Sequence, residues 1–373
     1  MTIYSALGTM SGTSMDGVDV AYLETDGRGH IEIPDGLHTT LEYNQAERGT
    51  LFDAVDAALD VNAKSVVAHR VVQQAEGIVN HAHQRAISSL VDRVGKKIHC
   101  VGFHGQSILH RPNASDPANA FSLQIGSGVE LANQLNLPVV YDFRSADVEA
   151  GGEGAPLAPL YHQALLAGKV AVPAAILNLG GIANITLVRD TDPGSIRASD
   201  IGPANVFMDD FMRDRLGLPF DEDGRLAAAG TADKALVESF FKHDYFTLKG
   251  PKSLDRYSLA PPDVAGLSKQ DAMATLTEIT VESVVRGVRD LNVPLQALFV
   301  AGGGARNGFL MARLGQSLDC KVTSLDSFGA SADMLEAQAF AYLAVRHLEK
   351  LPISYPNITG VPKPTLGGRL AVP

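Results

Sequence analysis

The stretch GTMSGTSMDGVDVAYLE, residues 8–24, decides how the first part of this chain folds. Residues 3–7 are mostly apolar, and in residues 18–23 the side chains of Val18, Val20 and Tyr22 alternate with those of the residues between them. The sequence therefore predicts two strands joined by a turn. The turn is unusual, because residues 8–17 hold three glycines, two serines and two threonines. Glycine lets backbone N–H groups approach oxygen atoms closely, and hydroxyl groups add small donors. The stretch is therefore either a plain hairpin turn or a hairpin that binds phosphate.

The length and composition indicate a folded protein of two domains. Single cores stop growing at roughly 250–300 residues, and this chain has 373, with 45% hydrophobic and 20% charged residues. The net charge of −11 and the isoelectric point near 5.4 argue against nucleic acid or an anionic membrane as partner, since both need clustered Lys and Arg. The two cysteines, Cys100 and Cys320, are expected to be reduced. Because no basic leader and no apolar run of about 20 residues is present, we expect a cytoplasmic protein.

The hairpin pattern recurs about 170 residues later. AAILNLGGIANITLVRD, residues 174–190, reads as an apolar strand, a turn at Gly180 and Gly181, and a second apolar strand. A short strand at 195–199 follows, and DIGPANVFMDDFMRDR then passes from a tight loop into a helix beginning near Asn205. The recurrence predicts two α/β domains built on one plan.

The remaining elements define the domain boundaries. Amphipathic helices are predicted over residues 66–94 and 271–290, and the first leads into the strand KIHCVGFHGQS, which ends in a polar loop. A short strand at 138–141, a loop rich in Gly, Asp and Glu, and a helix from near Pro156 follow. We therefore expect a first domain over 1–140, a second over 141–344, and a C-terminal segment from about 345 to 373 that packs on the first.

Three glycine-rich loops follow apolar strands, at residues 8–17, 200–204 and 302–307. The first is not a Walker A loop, because it lacks a lysine and leads into a strand. Asp16 near its end could hold a metal through water. The third loop lies between strand and helix, as a dinucleotide fingerprint does, but only about 65 residues follow it, too few for a six-stranded nucleotide domain. It either holds a nucleotide or simply connects strand to helix.

Four polar side chains are candidates for chemistry. Asp200 ends a strand, where ligands gather in open α/β sheets, so it is either a general base or phosphate contact, or a cap of the next helix. Glu336 begins an otherwise apolar helix, where an unpaired carboxylate is costly, so it should have a partner or a ligand. His104 and Gln106 are predicted in a loop, where they could bind sugar hydroxyls; a structural histidine is the alternative.

Seven motifs together resemble one family. In chain order they are MSGTSMDGVD (10–19), FHGQS (103–107), DFR (142–144), GGEGAPLAPLYHQALL (151–166), LNLGGIAN (177–184), DIGPAN (200–205) and AGGGARN (301–307). Their order and their spread over nearly the whole chain resemble the anhydro-N-acetylmuramic acid kinase family. The resemblance implies an actin-like fold of the sugar kinase and heat-shock ATPase type, with two duplicated mixed-sheet α/β domains around an ATP cleft.

The resemblance also implies a reaction. The family uses ATP to open 1,6-anhydro-N-acetylmuramic acid with water and phosphorylates O6, giving N-acetylmuramic acid 6-phosphate and ADP in peptidoglycan recycling. Asp200 matches the family's base and would take a proton from the water that attacks C1. The implied sugar contacts are His104, Gln106, Arg144 and Glu336, with the arginine suited to the lactyl carboxylate.

ATP and Mg²⁺ are the cofactors that the resemblance implies, with Asp16 as the metal contact. The implied phosphate contacts are Gly12, Thr13, Ser14, Met15, Asp16, Gly17, Val18, Asp19 and Gly202. The implied adenosine contacts are Gly302, Gly303, Gly304 and Asn307. The family further implies that the protein is a homodimer. Its expected small-molecule partner is the amino sugar substrate.

Three departures from the family pattern leave the substrate open. DIGPAN stands where DTGPGN is usual, changing positions Ile201 and Ala204, and Glu153 stands where the family has glutamine. A kinase for another amino sugar with a free hydroxyl therefore stays as an alternative, and so does a non-catalytic actin-like ATP-binding module.

Overall fold

The computed structural model describes residues 2–60, 66–67, 69–112, 121–250, 252–254, 258–328 and 330–373. The strands, in chain order, are β1 (Tyr4–Ser11), β2 (Gly17–Thr25), β3 (Ile31–Glu32), β4 (His38–Glu42), β5 (Cys100–Arg111), β6 (Phe121–Ile125), β7 (Val139–Tyr141), β8 (Ala174–Leu179), β9 (Ile182–Val188), β10 (Arg197–Pro203), β11 (Ala297–Ala301), β12 (Lys321–Ser324) and β13 (Arg369–Ala371). The helices are α1 (Gln45–Asp60), α2 (Arg70–Val94), α3 (Gly128–Leu135), α4 (Ser145–Glu149), α5 (Pro159–Leu166), α6 (Val206–Leu216), α7 (Arg225–Ala228), α8 (Lys234–Phe240), α9 (Lys269–Asp290), α10 (Gly308–Ser317), α11 (Leu335–Leu348) and α12 (Pro356–Thr359). The predicted α/β class is confirmed.

The chain forms two units, whose bounds differ from those expected. Unit 1 consists of Met1–Leu165 and Glu336–Pro373, and unit 2 of Leu166–Leu335. The segment 141–165, expected in the second domain, thus belongs to unit 1.

Long-range hydrogen bonds explain why this segment stays in unit 1. Thr359 Oγ1 donates to the Asp147 carboxylate at 2.7 Å, and Tyr161 donates its hydroxyl to Gln338 at 2.8 Å. Both bonds join the segment to the C-terminal part of the chain, about 200 residues away. No local sequence pattern indicates them.

Both units use the same sheet plan. In unit 1 the strand order is β13-β7-β5-β1-β2-β3, with β4 paired to β2 and β6 to β5. In unit 2 it is β10-β9-β8-β11-β12. Each sheet has an antiparallel hairpin, β1–β2 or β8–β9, and two parallel strands beside the first hairpin strand, β5 and β7 or β11 and β12. The predicted duplication of one plan is confirmed.

Helix α11 lies directly on two glycines of the unit 1 sheet. Gly8 of β1 and Gly102 of β5 are neighbours in register. A Cβ on Gly8 would lie 2.0 Å from the Ala337 carbonyl oxygen, and one on Gly102 would lie 2.1 Å from that of Phe340, so neither position has room for a side chain. Gly8 therefore allows close packing of the helix on the sheet. The prediction of a loop over residues 8–17 is wrong for residues 8–11, because they belong to β1.

Two other predicted loops are also strands. β5 continues past His104 and Gln106 because β6 pairs with it, and β10 continues through Asp200 and Gly202 because β9 does. The register shifts between Asp200 and Gly202, so the strand is irregular at the predicted site.

The described helices include none that is long and apolar enough to cross a membrane.

Each unit has its own hydrophobic core. The unit 1 core joins the sheet to α1 and α2, with Leu7, Val101 and Leu90 fully buried. The unit 2 core includes Leu177 of β8 and Val284 of α9, the helix that Ser268 caps by accepting from the Asp271 N–H. The predicted helices over 66–94 and 271–290 correspond to α2 and α9.

Candidate active site

The turn of the β1–β2 hairpin has unused hydrogen-bond donors. The Met15 N–H closes the turn by donating to the Gly12 carbonyl at 3.1 Å. Met15 has a φ of 52° and its side chain is buried in the unit 1 core, so it anchors the turn. Thr13 and Ser14 are exposed, and their backbone N–H groups have no acceptor among the described residues. Free N–H groups in a tight turn form a concave site for an anion.

Gln106 supports this turn from below. Its side chain is fully buried, and its Nε2 donates to the Gly12 carbonyl at 3.1 Å and to the Ser107 carbonyl at 3.2 Å. Its Oε1 accepts from Ser11 Oγ at 2.6 Å. Both amide N–H groups are thus used inside unit 1. The expected direct sugar contact at Gln106 does not fit this burial, and the residue positions the turn instead.

The strand end of the phosphate motif is less accessible. Val18 is fully buried, and a Cβ on Gly17 would lie 2.6 Å from the Leu41 carbonyl oxygen. Asp19 accepts a hydrogen bond from Thr40 Oγ1 at 2.5 Å. Of the predicted phosphate contacts in unit 1, the segment from Gly12 to Ser14 and the exposed Asp16 therefore have the access that a ligand needs.

Asp16 fits a metal that arrives with phosphate better than a resident metal. No cluster of three or more His, Cys, Asp or Glu that could hold a metal exists in the described part of the chain. The Asp16 side chain is 66% exposed and pairs with Arg48 at 2.8 Å. Mg²⁺ usually binds through one or two carboxylates together with substrate phosphates and water. A single exposed carboxylate beside an anion-binding turn suits that mode.

Three predicted sugar contacts come together in unit 1, beginning with Arg144 and His104. Arg144 lies between β7 and α4. It donates from Nε and Nη2 to His104 Nε2 at 3.2 and 3.0 Å. Its Nη1 donates to the Gly154 carbonyl at 2.8 Å. Burial lowers the pKa of Arg144 to about 10, so the group remains a cation at neutral pH. One N–H on each Nη nitrogen is left without an acceptor among the described residues.

Glu336 is the third member of this group. Its carboxyl has no hydrogen bond or ion pair within the described residues. Burial raises the pKa of Glu336, Arg144 opposes that rise, and the charge of Asp19 adds to it. The sequence predicts a partner or a ligand for this group, and Arg144 is the oppositely charged neighbour. A polar substrate would supply the missing hydrogen bonds.

Asp147 is a buried carboxylate that sequence reasoning missed. It accepts from the Gly154 N–H at 2.6 Å and from Thr359 Oγ1 at 2.7 Å, and only 1% of it is exposed. Gly152 packs on the same carboxylate, since a Cβ there would lie 2.3 Å from its oxygen. Asp147 thus holds the glycine loop that contacts Arg144. The sequence signal for this role is the acidic residue itself, which lies just before the GGEGAP motif at residues 151–156.

In unit 2, Asp200 is fixed by the segment that precedes α9. Its N–H donates to the Lys252 carbonyl at 2.9 Å, and its Oδ2 accepts from the Leu254 N–H at 2.7 Å. The Tyr245 hydroxyl donates to the Asp200 carbonyl at 2.8 Å. Helix α6 is preceded by Asn205, whose side chain makes no cap hydrogen bond, and Asp200 lies within β10, six residues before the first residue of α6. A carboxylate held this way is suited to accept a proton from a fixed direction.

The backbone beside Asp200 requires glycine. Gly202 has a φ of 150°, and a Cβ on it would lie 2.5 Å from Ser283 Oγ of α9. Helix α9 also binds the next turn, because Thr280 donates to the Ala204 carbonyl at 2.7 Å. This packing fixes the irregular end of β10.

The turn of the β8–β9 hairpin is bound by the start of α6. The Gly180 carbonyl accepts from the Asn205 N–H at 3.0 Å, and the Gly181 carbonyl accepts from the N–H groups of Ala204 and Val206 at 2.9 and 3.2 Å. The turn is thus stabilised through its carbonyl groups.

The Gly302–Asn307 loop joins β11 to α10. Asn307 caps α10 with its side chain, and a Cβ on Gly304 would lie 2.6 Å from Leu179 Cβ. Apart from its two chain neighbours, the described atom nearest to the position of the missing Cβ of Gly303 is Asn205 Nδ2, at 3.7 Å. Asn307 and Gly304 therefore have local structural roles, and Gly303 leaves room for a ligand.

Comparison with known proteins identifies the family. The family model described as anhydro-N-acetylmuramic acid kinase matches residues 4–372. The chain belongs to the anhydro-N-acetylmuramic acid kinase family. The predicted membership is confirmed, and with it the prediction of an enzyme of the kinase class. Kinase membership also supports the predicted use of ATP.

Curated relatives agree over the full length. The anhydro-N-acetylmuramic acid kinase of Azorhizobium caulinodans is 43% identical over 99% of this chain and 99% of its own. That of Zymomonas mobilis subsp. mobilis is 42% identical over 98% of this chain and 99% of its own.

Solved structures give only a loose likeness. The activator of 2-hydroxyisocaproyl-CoA dehydratase from Clostridium difficile, with bound ADPNP, has 13% identity and a TM-score of 0.44 over 93% of this chain and 96% of its own. A ROK family glucokinase from Streptomyces griseus, in complex with glucose and AMPPNP, has 12% identity and a TM-score of 0.41 over 91% and 98%.

Two departures of this anhydro-N-acetylmuramic acid kinase family member are core positions. Ile201 is 6% exposed and packs on α9, where a Cβ on Gly287 would lie 2.7 Å from its Cγ2. Ala204 is fully buried. Ile201 and Ala204 therefore change the packing of unit 2, because their side chains face its core.

Proposed function

We propose that this protein uses ATP to open 1,6-anhydro-N-acetylmuramic acid with water and phosphorylates O6, giving N-acetylmuramic acid 6-phosphate and ADP. The observation that carries the proposal is the family match over residues 4–372, which spans every residue assigned a role below. The two relatives named above are called anhydro-N-acetylmuramic acid kinase, and each matches this chain over 99% of its own length.

Asp200 is the proposed general base. It takes a proton from water as the water oxygen bonds to C1, and the C1–O6 bond breaks. The released O6 attacks the γ-phosphorus, and ADP leaves. The Leu254 N–H contact on Oδ2 supports this role, since it fixes the carboxylate in one orientation.

Arg144 and Glu336 are the proposed sugar contacts. The unused Nη protons of Arg144 match a carboxylate such as the lactyl group, and Glu336 can accept from a hydroxyl or amide of the sugar. Burial raises the value of such bonds, because groups left unpaired in a dry site are costly.

The β1–β2 turn is the proposed phosphate contact. The free N–H groups of Thr13 and Ser14 support it. Gly202 and the Gly302–Asn307 loop, with Gly303 the most open, are the proposed nucleotide contacts of unit 2. Mg²⁺ beside Asp16 would neutralise charge on the phosphoryl group.

The expected cytoplasmic location and homodimer are further proposals of the same family assignment. Sedimentation of the purified protein tests the dimer, and a single species at the 39.5 kDa mass of one chain would refute it.

One assay separates this proposal from its alternatives. ADP release is measured with and without the anhydro sugar, in water labelled with ¹⁸O, with N-acetylmuramic acid 6-phosphate in the same water as the exchange control. Sugar-dependent ADP release and label at C1 above that control are expected. ADP release only with a sugar that has a free 6-hydroxyl would indicate another sugar kinase. ATP binding without turnover of any sugar would indicate a non-catalytic module.

A further inference from the structure

The guanidinium group of Arg144 is held on two sides before any ligand binds. His104 Nε2 accepts from Nε and Nη2 at 3.2 and 3.0 Å, and the Gly154 carbonyl accepts from Nη1 at 2.8 Å. A planar group fixed by two separate acceptors loses little rotational freedom when a ligand binds. Its two remaining Nη protons are then presented in a constant direction.

His104 can accept these bonds only as a neutral ring. Its Nδ1–H donates to the Gly105 carbonyl at 2.9 Å, which leaves the Nε2 lone pair for Arg144. The ring is 4% exposed and lies 4.6 Å from the Phe340 ring, centroid to centroid. Burial lowers the pKa of His104 well below its ordinary value, and Arg144 lowers it further. His104 is therefore an acceptor throughout the neutral range.

We propose that His104 is a positioning residue for the substrate, whose neutral Nε2 orients Arg144 so that the arginine receives the carboxylate of the sugar. This inference rests on the proposed function, in which Arg144 binds the lactyl carboxylate. It replaces the expected direct contact between His104 and the sugar, because the one nitrogen able to face a ligand is already bonded to Arg144.

The second anchor of Arg144 has a support of its own. Gly154 donates its N–H to the buried Asp147 carboxylate at 2.6 Å, so the carbonyl that meets Arg144 belongs to a fixed loop. His104 is the anchor that a single side-chain substitution removes while this loop keeps its bonds. The role of His104 can thus be separated from the folding of the loop.

The test compares two substitutions of His104 with two sugars. His104→Phe keeps a ring against Phe340 and removes the acceptor, whereas His104→Gln places an amide oxygen near the position of Nε2. The sugars are 1,6-anhydro-N-acetylmuramic acid and 1,6-anhydro-N-acetylglucosamine, which lacks the lactyl group. For His104→Phe we expect KM for the lactyl sugar to rise about 10- to 100-fold, with kcat within about threefold. With the sugar that lacks the lactyl group, His104→Phe should match the wild type, and His104→Gln should recover most of the loss.

A double variant guards against a folding effect. In an Arg144→Leu background, His104→Phe should cause no further rise in KM, because the group that it positions is gone. Equal losses with both sugars, an additive effect in that background, or a loss confined to kcat would overturn the proposal.

Calorimetric binding of the two sugars repeats the comparison without turnover. If the wild type binds the lactyl sugar but does not phosphorylate it, the proposed reaction fails, and the His104 assignment stands or falls on the binding data. If the wild type binds neither sugar, both proposals are refuted.

Discussion

The two hairpin turns occupy the same place in the same sheet plan but bond differently. In unit 1, the N–H groups of Thr13 and Ser14 have no acceptor among the described residues. In unit 2, the carbonyls of Gly180 and Gly181 accept from the start of α6. The N–H groups of Gly180 and Gly181, like those of Thr13 and Ser14, have no acceptor among the described residues. Both turns therefore have free donors for an anion, and the difference is that the unit 2 turn also binds the start of α6 through its carbonyl groups.

The units also differ in their histidines. Ten of the eleven histidines of the sequence lie within the bounds of unit 1, and His243 is the one in unit 2. Burial lowers the pKa of His83 and of His110 to about 4 and that of His162 to about 3. Unit 1 thus contains neutral imidazoles that resist protonation, and acid should affect the two units unequally.

The largest effect is expected from Asp200→Asn, which tests whether unit 2 supplies the base. Asparagine keeps an oxygen for the Leu254 N–H but cannot take a proton from water, so kcat should fall by about 10²- to 10⁴-fold. Steady-state kinetics with the anhydro sugar measures it. Asp214→Asn, the same substitution at an exposed position of α6, is the control and should leave kcat unchanged. A kcat for Asp200→Asn within threefold of the wild type would remove Asp200 from the mechanism.

The next effect concerns the glycines of the two hairpins. Gly8→Ala places a methyl group 2.0 Å from the Ala337 carbonyl oxygen, so α11 must move away from the sheet. We expect the free energy of unfolding to fall by at least about 3 kcal/mol. A Cβ on Gly181 of the unit 2 turn would lie 4.0 Å from Val206 Cβ, the nearest atom among the described residues apart from its two chain neighbours, so Gly181→Ala should change the free energy of unfolding by less than about 1 kcal/mol. Denaturant unfolding of both variants tests this, and similar losses would show that α11 adapts.

The smallest effect is the acid sensitivity of unit 1. His83 binds a proton in the unfolded chain below about pH 6.5, whereas the folded protein keeps it neutral down to about pH 4. Its contribution is therefore complete above pH 6.5 and is lost as the pH falls towards 4, by about 2 kcal/mol at pH 5.

Two measurements check this acid effect. His83→Phe should reduce the drop in unfolding free energy between pH 7.5 and pH 5 by about 2 kcal/mol. Hydrogen exchange at pH 5 should lose protection in α2 and β5 before β8 and β11. Earlier loss in the unit 2 strands would reverse the comparison.

The candidate site could be read from the sequence where local motifs carry it. Asp200, Arg144 and Glu336 were found through DIGPAN, DFR and an acidic residue in an apolar helix. Gln106 was also found, but as a sugar contact, because nothing local shows that its amide bonds to Gly12, 94 residues away. Asp147 was missed for the same reason, since its partner Thr359 is 212 residues distant.

The sequence by itself determined the α/β class, the two repeated hairpins and the residues rich in donors. These features follow from side-chain period and turn chemistry, which act over a few residues. Only the tertiary structure decided that Gly8 makes room for α11 while Gly12 and Ser14 face outward, and that Arg144 is held by His104. Close helix contacts and buried hydrogen bonds join residues that are far apart in the chain, so no local sequence pattern shows which residues will meet.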